Sequence, residues 1–249
     1  MCLILFAYHR HPVYPLILAS NRDEFLDRPT ARIHRWNQAP IHAGKDLKAG
    51  GTWMGVSSSS KWAALTNYRE GLQEKKQAPS RGALVVDYLL NKQSPDVYAG
   101  HVHQKAQEYN GYNLLLGHKE EIYYQSNRSE NVHKLEPGLY GLSNHLLNTS
   151  WPKVDKGKEA LEKVIEKKEL DKEALFNLLI DKNLAEDEIL PDTGIPYEWE
   201  KMLSAMFIES PNYGTRVSTI LLMDKTGRMY VEERSYKPEG DAISFEIGT

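Results

Sequence analysis

The sequence predicts an α+β fold in which two antiparallel sheets are sandwiched between helical layers, in one domain spanning residues 1–249. Three observations lead there. Strand-like and helix-like segments come in runs rather than in alternation, which argues against βαβ units and a parallel sheet. The first segment, Cys2 to Tyr8, carries Leu, Ile and Phe on both alternating faces, as a strand covered on both sides does. The chain is also long enough to bury a core. Its hydrophobic fraction of 41% and charged fraction of 26% are ordinary for a globular protein and exclude disordered and fibrous classes.

In chain order, His11-Pro12-Val13-Tyr14-Pro15 turns the first strand back, and Leu16 to Asn21 reads as the returning strand of a β-hairpin. With the turn near Pro12, antiparallel pairing sets Cys2 opposite residues 21 to 23, at a Cα separation of about 4.5–5.5 Å. A one-residue slip exchanges Arg22 for Asn21 and Asp23 beside Cys2, so the pattern alone leaves that choice open. Extended segments follow around Ala31 to Ile41. Gly50-Gly51-Thr52-Trp53-Met54-Gly55-Val56 opens a strand, Ser57 to Ser60 is a turn, and Trp62 to Tyr68 is another strand.

Ser80-Arg81-Gly82 opens an apolar helical pattern through Leu90. Ser94 as N-cap with Pro95 at the first helical position predicts a second helix to about Tyr109. Strand character returns at Tyr112 to Gly117, Glu121 to Gln125 and Val132 to Leu135, and Gly138 to Asn144 leads out of that block. Pro152 to Lys182 is Lys/Glu-rich and helical, with Leu161, Val164, Ile165, Leu175, Leu178 and Leu179 as apolar stripes and the charges read as a solvated face. A short helix is expected over Tyr197 to Phe207. Strands at Arg216 to Met223, Arg228 to Arg234 and Ala242 to Ile247 end the chain.

A formal net charge of -3 implies no face-wide basic excess, so neither nucleic acid nor acidic lipid is expected as the main partner. The single cysteine allows no internal disulfide and fits a reducing compartment. The apolar run at the N-terminus is too short for a signal-peptide core, and nowhere do about twenty apolar residues run together, so no membrane span is expected. The expected localisation is cytoplasmic, with a small molecule as substrate or ligand.

Cys2 sits where removal of Met1 would leave it carrying a free α-amine. Thiol and amine on one residue supply a nucleophile and a general base together. The α-amine titrates near ~7.7–8.0 and can take the thiol proton at neutral pH. A carboxylate such as Asp23 would orient that amine, and a nearby Arg would favour the thiolate. Attack on a carbonyl then needs donors for an oxyanion, and Asn67 and Asn144 are candidates because a side-chain amide donates without titrating. Each of these residues has an ordinary structural reading as well: a free cysteine is usually a small buried hydrophobe, an isolated Asn a turn residue, and Trp53 a core residue.

Cys2, Ser20-Asn21-Arg22-Asp23-Glu24, Gly50-Gly51-Thr52-Trp53, Leu65-Thr66-Asn67-Tyr68-Arg69, Gly141-Leu142-Ser143-Asn144 and Tyr213-Gly214-Thr215-Arg216, in this order, resemble the NRDE family, also called transport and Golgi organization 2 proteins. That family in turn is similar to N-terminal-nucleophile hydrolases of the choloylglycine hydrolase and penicillin V acylase type. The resemblance implies a four-layer αββα sandwich, Cys2 as nucleophile, Asp23 as its polar partner, Asn67 and Asn144 near the oxyanion and Arg216 near the reacting centre. Asn21, Arg22 and Trp53 are the expected substrate contacts. In those hydrolases an Arg immediately precedes an Asn-x-Asp. Here Ser20 holds that place and the Arg lies inside, so Asn21 and Asp23 carry over and Arg22 does not.

His9-x-His11 and His101-x-His103 lack a matching Cys or carboxylate cluster, so no metal is expected. No cofactor is expected either: Gly50-Gly51 lacks the rest of a nucleotide-loop fingerprint and reads as a close backbone approach. The sequence thus points to an amidase or acyl-transfer enzyme acting on an amide or thioester. The alternative is a non-catalytic carrier of haem or a lipid-related ligand, since members of the resembled family have been connected with haem handling and acyl-CoA metabolism.

Overall fold

The computed structural model describes residues 2–37, 39–71 and 75–248. Met1, on whose removal the expected chemistry depends, lies outside them. The hairpin forms as the alternation predicts: β1 (Cys2–Tyr8) and β2 (Leu16–Phe25) pair antiparallel with Ile4 opposite Ser20 and Phe6 opposite Leu18. β10 (Gly138–Leu142) pairs on the free edge of β1 and β11 (Tyr213–Met223) on that of β2. With β12 (Met229–Tyr236) and β13 (Glu239–Ile247), the first described sheet runs β10-β1-β2-β11-β12-β13.

The second sheet is a meander of β3 (Thr30–Arg35), β4 (Ile41–Asp46), β5 (Met54–Ser57), β6 (Lys61–Asn67), β7 (Tyr112–His118), β8 (Glu121–Ser126) and β9 (His133–Lys134), in that spatial order. All pairings in both sheets are antiparallel.

Side-chain alternation assigns the faces. Ile4, Phe6, Leu18 and Leu221 from the first sheet meet Met54, Trp62 and Leu115 from the second, forming the layer between them. The other face of β1 and β2, with Leu3, Leu5 and Ile17, packs on α3 (Pro152–Ile165) and α4 (Lys172–Leu179) through Val154, Leu161 and Phe176. Ala63, Leu65 and Leu114 pack on α1 (Arg81–Leu90) and α2 (Pro95–Gln104) through Val85, Tyr88 and Val102. This is the expected order helix, sheet, sheet, helix. It explains why β1 is apolar on both faces.

Some boundaries move. The stretch expected to be helical from Pro152 to Lys182 divides at the Ile165 to Lys172 connection, where Asp171 caps α4 by accepting from the Glu173 amide at 2.9 Å. α2 ends at Gln104 and a 3-10 turn covers Ala106–Glu108. α5 (Tyr197–Met202) stops short of Phe207. Two glycine contacts shape the region that becomes the site. A Cβ on Gly44 would lie 2.2 Å from Trp53 Cη2, so only glycine leaves room for that indole. Gly51 and Gly82 pack backbone to backbone, a Cβ on Gly51 falling 2.5 Å from the Gly82 carbonyl carbon, which fixes the start of α1 against the Gly50-Gly51 turn.

Candidate active site

The hairpin register decides which polar residues accompany the thiol. Cys2 stands directly opposite Arg22, and Leu3 opposite Asn21. Paired residues share a face, so Cys2 and Arg22 project toward the space between the sheets, whereas Asn21 and Asp23 project to the helical side. The cysteine opens a cleft of about 620 Å³ at the end of that space, lined also by Arg22, Trp53, Asn67 and Arg81. A second cleft of about 520 Å³ adjoins it through Glu24, Phe25, Asn67, Arg81 and Asn110, and carries Asn144 and an aromatic wall of Phe25, Trp199 and Tyr213.

Arg22 is 5% exposed. Its guanidinium carbon lies 4.1 Å from the centre of the Trp53 ring, a cation–π contact, and Nη2 is 3.7 Å from Glu24 Oε2. Nη1 is buried with no hydrogen-bond partner among the described residues. Of the three expected substrate contacts, Arg22 and Trp53 therefore do line the cleft. Asn21 does not: its Nδ2 donates to the carbonyls of Leu179 and Met206 at 2.8 Å each, and its Oδ1 accepts from Ser218 at 2.5 Å. The amide stitches β2 to β11 and to the chain before and after α5, and it is turned away from the thiol because the register puts Arg22 there.

Asp23 is 1% exposed and accepts a hydrogen bond from Thr215 Oγ1 at 2.7 Å, while that hydroxyl accepts from the Ile208 amide at 2.9 Å. Although its side chain roots on the helical face, Asp23 stands at the rim of the Cys2 cleft. On the other flank, Asn144 is fully buried and its Nδ2 donates to the Asn67 carbonyl at 2.9 Å, joining the ends of the two sheets. Ser143 Oγ lies 3.2 Å from the Cys2 carbonyl oxygen and 3.3 Å from Asn144 Oδ1. A continuous polar chain thus runs from Cys2 through Ser143 and Asn144 to Asn67.

Arg216 departs from expectation. It is the extra residue of a bulge between Thr215 and Val217, and it does not line the Cys2 cleft. Its Nη1 donates to the carbonyls of Phe25 (2.8 Å) and Arg28 (3.1 Å) and its Nε to that of Lys237. The bulge re-aims this side chain under the turn after β2, which it holds.

Burial dominates the electrostatics. It pushes the Cys2 thiol above its ordinary value; the Asp23 charge adds to that and Arg22 opposes it. Asp23 is pushed up by burial too, with Lys153 the first charge opposing. Lys153, buried in the first turn of α3, is pulled down to about 8 by burial. A buried ion pair, Arg69 Nη2 to Glu200 Oε2 at 3.1 Å, lies beside this group. Ser143, Thr215, Lys153 and Glu200 were not singled out from the sequence. Ser143 and Thr215 stand inside two of the quoted motifs. Lys153 carried its own signal, since it heads the spacing Lys153, Gly157, Leu161, Ile165 along one buried helix face.

The sequence profile of the family described as Transport and Golgi organisation 2 matches residues 1–238. The chain belongs to that family. Among its relatives, the Transport and Golgi organization 2 homologues of Homo sapiens and Mus musculus are 39% and 37% identical, each over 94% of this chain and 93% of the relative. Transport and Golgi organization protein 2 of Drosophila melanogaster is 28% identical over 94% of this chain and 92% of its own length.

Among solved structures, the chain shares its fold with a penicillin V acylase and a conjugated bile acid hydrolase. Penicillin V acylase from Agrobacterium tumefaciens superposes with a TM-score of 0.55 at 10% identity, covering 99% of this chain and 86% of that one. A variant of conjugated bile acid hydrolase from Clostridium perfringens gives 0.53 at 10% identity, covering 98% and 92%. At that identity the likeness is one of fold.

Among the described residues, no helix is long and apolar enough to cross a membrane, and no group of three or more His, Cys, Asp and Glu is placed to hold a metal ion.

Proposed function

We propose that this chain is an amidase or acyl-transfer enzyme of the N-terminal-nucleophile type, acting as one domain on the amide or thioester bond of a small molecule. The observation that carries the reading is Cys2 at the mouth of the cleft between the sheets, with Arg22 opposite it, Asp23 at the rim and the Ser143-Asn144-Asn67 chain on its other flank.

With Met1 removed, the Cys2 amine takes the thiol proton and the sulfur attacks the carbonyl carbon. Asp23 orients the amine. The Asn67 side-chain amide stabilises the oxyanion, and Asn144, whose amide is shared with the Asn67 carbonyl, braces it. The leaving amine or thiol takes its proton from the α-ammonium, and water or another acceptor then resolves the acyl-enzyme. Arg22 stacked on Trp53 presents an unpaired N–H to an acceptor on the substrate, while the wall of Phe25, Trp199 and Tyr213 takes an apolar portion.

A burial-raised thiol beside an aromatic cleft also suits a second reading, a carrier of a haem or lipid-related ligand that does not turn it over. One experiment separates them. Processed protein incubated with an activated ester or amide acquires an acyl mass on Cys2 that the Cys2→Ala variant does not. Haem titration followed by absorbance, unchanged at micromolar protein, removes the haem version of the carrier. Retained Met1 together with a Cys2→Ala variant indistinguishable from wild type defeats the enzyme reading.

A further inference from the structure

Asn67 and Asn144, the two amides assigned to the oxyanion, are each followed by a residue that the reaction above does not use, Tyr68 and His145. The two stretches of chain are tied on either side of these residues: the Arg69 amide donates to the Asn144 carbonyl at 2.7 Å, and Asn144 Nδ2 to the Asn67 carbonyl at 2.9 Å. Between those bonds, the side chains meet. Tyr68 Oη is 2.6 Å from His145 Nε2, and His145 Nδ1 is 2.8 Å from Thr149 Oγ1. The Thr149 hydroxyl has one proton, which goes to the Leu146 carbonyl at 2.8 Å. Its oxygen therefore accepts from His145 Nδ1–H. That leaves Nε2 of the neutral imidazole as the acceptor, and Tyr68 Oη–H donates to it.

Both partners are held from behind. Tyr68 lies so close on Gly111 that a Cβ on that glycine would fall 2.9 Å from Tyr68 Cβ, and the Tyr68 amide donates to the Gly111 carbonyl at 2.9 Å. The His145 carbonyl accepts from Asn113 Nδ2 at 3.0 Å, the same nitrogen reaches Thr66 Oγ1 at 3.0 Å, and Asn113 Oδ1 accepts from Tyr124 Oη at 2.8 Å. Tyr124 Oη in turn accepts from the Leu147 amide at 3.2 Å. Thr66, Asn113 and Tyr124 are buried, so a bond left unmade in this set strands a polar group away from water. Burial, and after it the Arg69 guanidinium, holds the His145 imidazole below its ordinary value, which favours the neutral form that the hydrogen-bond directions require. The turn that leaves β10 is thereby seated on the end of the second sheet.

We propose that Tyr68 and His145 are positioning residues: the hydrogen bond between them clamps Asn67 against Asn144 and so aims the Asn67 amide at the oxyanion. The consequence for catalysis rests on the function proposed above; the clamp itself does not. Asn67 is the last residue of β6, where the register with β7 ends at Tyr112, so the sheet ladder alone does not carry the chain past it. Asn67 lines both clefts and Asn144 the second. A shift of this pair therefore moves the wall that the two clefts share. Because Tyr68 and His145 act through the asparagines, loss of their bond costs orientation at the reacting centre rather than affinity for the substrate.

The test uses full-length processed protein as wild type, Tyr68→Phe, His145→Leu, the double variant and His145→Gln, whose side-chain oxygen can still accept from Tyr68. Single-turnover acylation of Cys2 by an activated ester, read by intact mass, is expected to be about tenfold slower at saturation in Tyr68→Phe and in His145→Leu, with the half-saturating concentration within about threefold of wild type. The double variant is expected to be no slower than either single one, as for two halves of one contact, and His145→Gln to recover most of the rate. Long-range nitrogen–proton NMR of His145 in wild type is expected to show the Nδ1–H tautomer. The Nε2–H tautomer, or single losses that multiply in the double variant, overturns the clamp. An unchanged rate at saturation, or a loss confined to the half-saturating concentration, overturns the positioning role. If wild type takes no acyl group at all, the proposed enzyme fails, and the tautomer together with the coupling of the same variants in urea unfolding still decides whether Tyr68 and His145 are partners.

Discussion

Replacing Asn21 by Ala removes a buried amide that the fold uses fully and the cleft does not. Two N–H donors, to the Leu179 and Met206 carbonyls, and one acceptor, from Ser218, disappear together. At a net contribution of about 1 kcal/mol each, the loss comes to about 3 kcal/mol, before any further cost of leaving the two carbonyls unsatisfied. For a chain of this length that lowers the melting temperature by roughly 6–12 °C. Thermal unfolding by circular dichroism measures the shift. The second readout is the rate of Cys2 acylation by an activated ester at a temperature where the variant is still folded, and it is expected to stay within about threefold of wild type, a change of less than 1 kcal/mol. A variant of unchanged stability that loses acylation would place Asn21 at the reacting centre and refute the assignment drawn from the register.

Three further perturbations follow from the geometry. Gly44→Ala sets a methyl 2.2 Å from Trp53; the indole must move and Arg22 loses its platform, at a cost of about 1–3 kcal/mol in urea unfolding, with weaker substrate binding that Gly44→Ala shares with Trp53→Ala. Arg69→Met leaves Glu200 buried without its cation and destabilises by about 3–5 kcal/mol, while Arg69→Met with Glu200→Gln recovers most of that in the same assay. Glu233 is pushed by burial from 4.5 up to about 7. Between those values the folded state holds a proton that the unfolded state has released, so stability falls as pH rises through the window, by up to about 3 kcal/mol. Glu233→Gln, which can still accept from the Ile33 amide, is expected to flatten that slope in unfolding experiments at pH 5 and pH 8.

The layers were legible in the sequence because burial leaves a periodic mark. β1 is apolar on both faces since one face meets the other sheet and the other meets α3, and Pro95 marks a helix start by backbone chemistry. The register was not legible. A one-residue slip costs no hydrophobic contrast in a strand buried on both sides, so nothing in the pattern distinguished Arg22 from Asn21 as the neighbour of Cys2. Arg216 escaped for a related reason: a bulge shifts the alternation locally, and its signature is a register change visible only once β2 and β11 are paired. Lys153 is legible only through its spacing. In a Lys/Glu-rich helix one lysine on the apolar stripe resembles its solvated neighbours unless the spacing to Gly157 and Leu161 is followed.

The proposed function stands on Cys2 acting as an N-terminal nucleophile. Intact mass of protein made in its own host, before and after exposure to an activated ester or amide, tests that directly. The result expected of an N-terminal nucleophile is loss of Met1 followed by one acyl increment localised to Cys2 and absent from Cys2→Ala. Protein that retains Met1, or an acyl group that appears equally in Cys2→Ala, contradicts it.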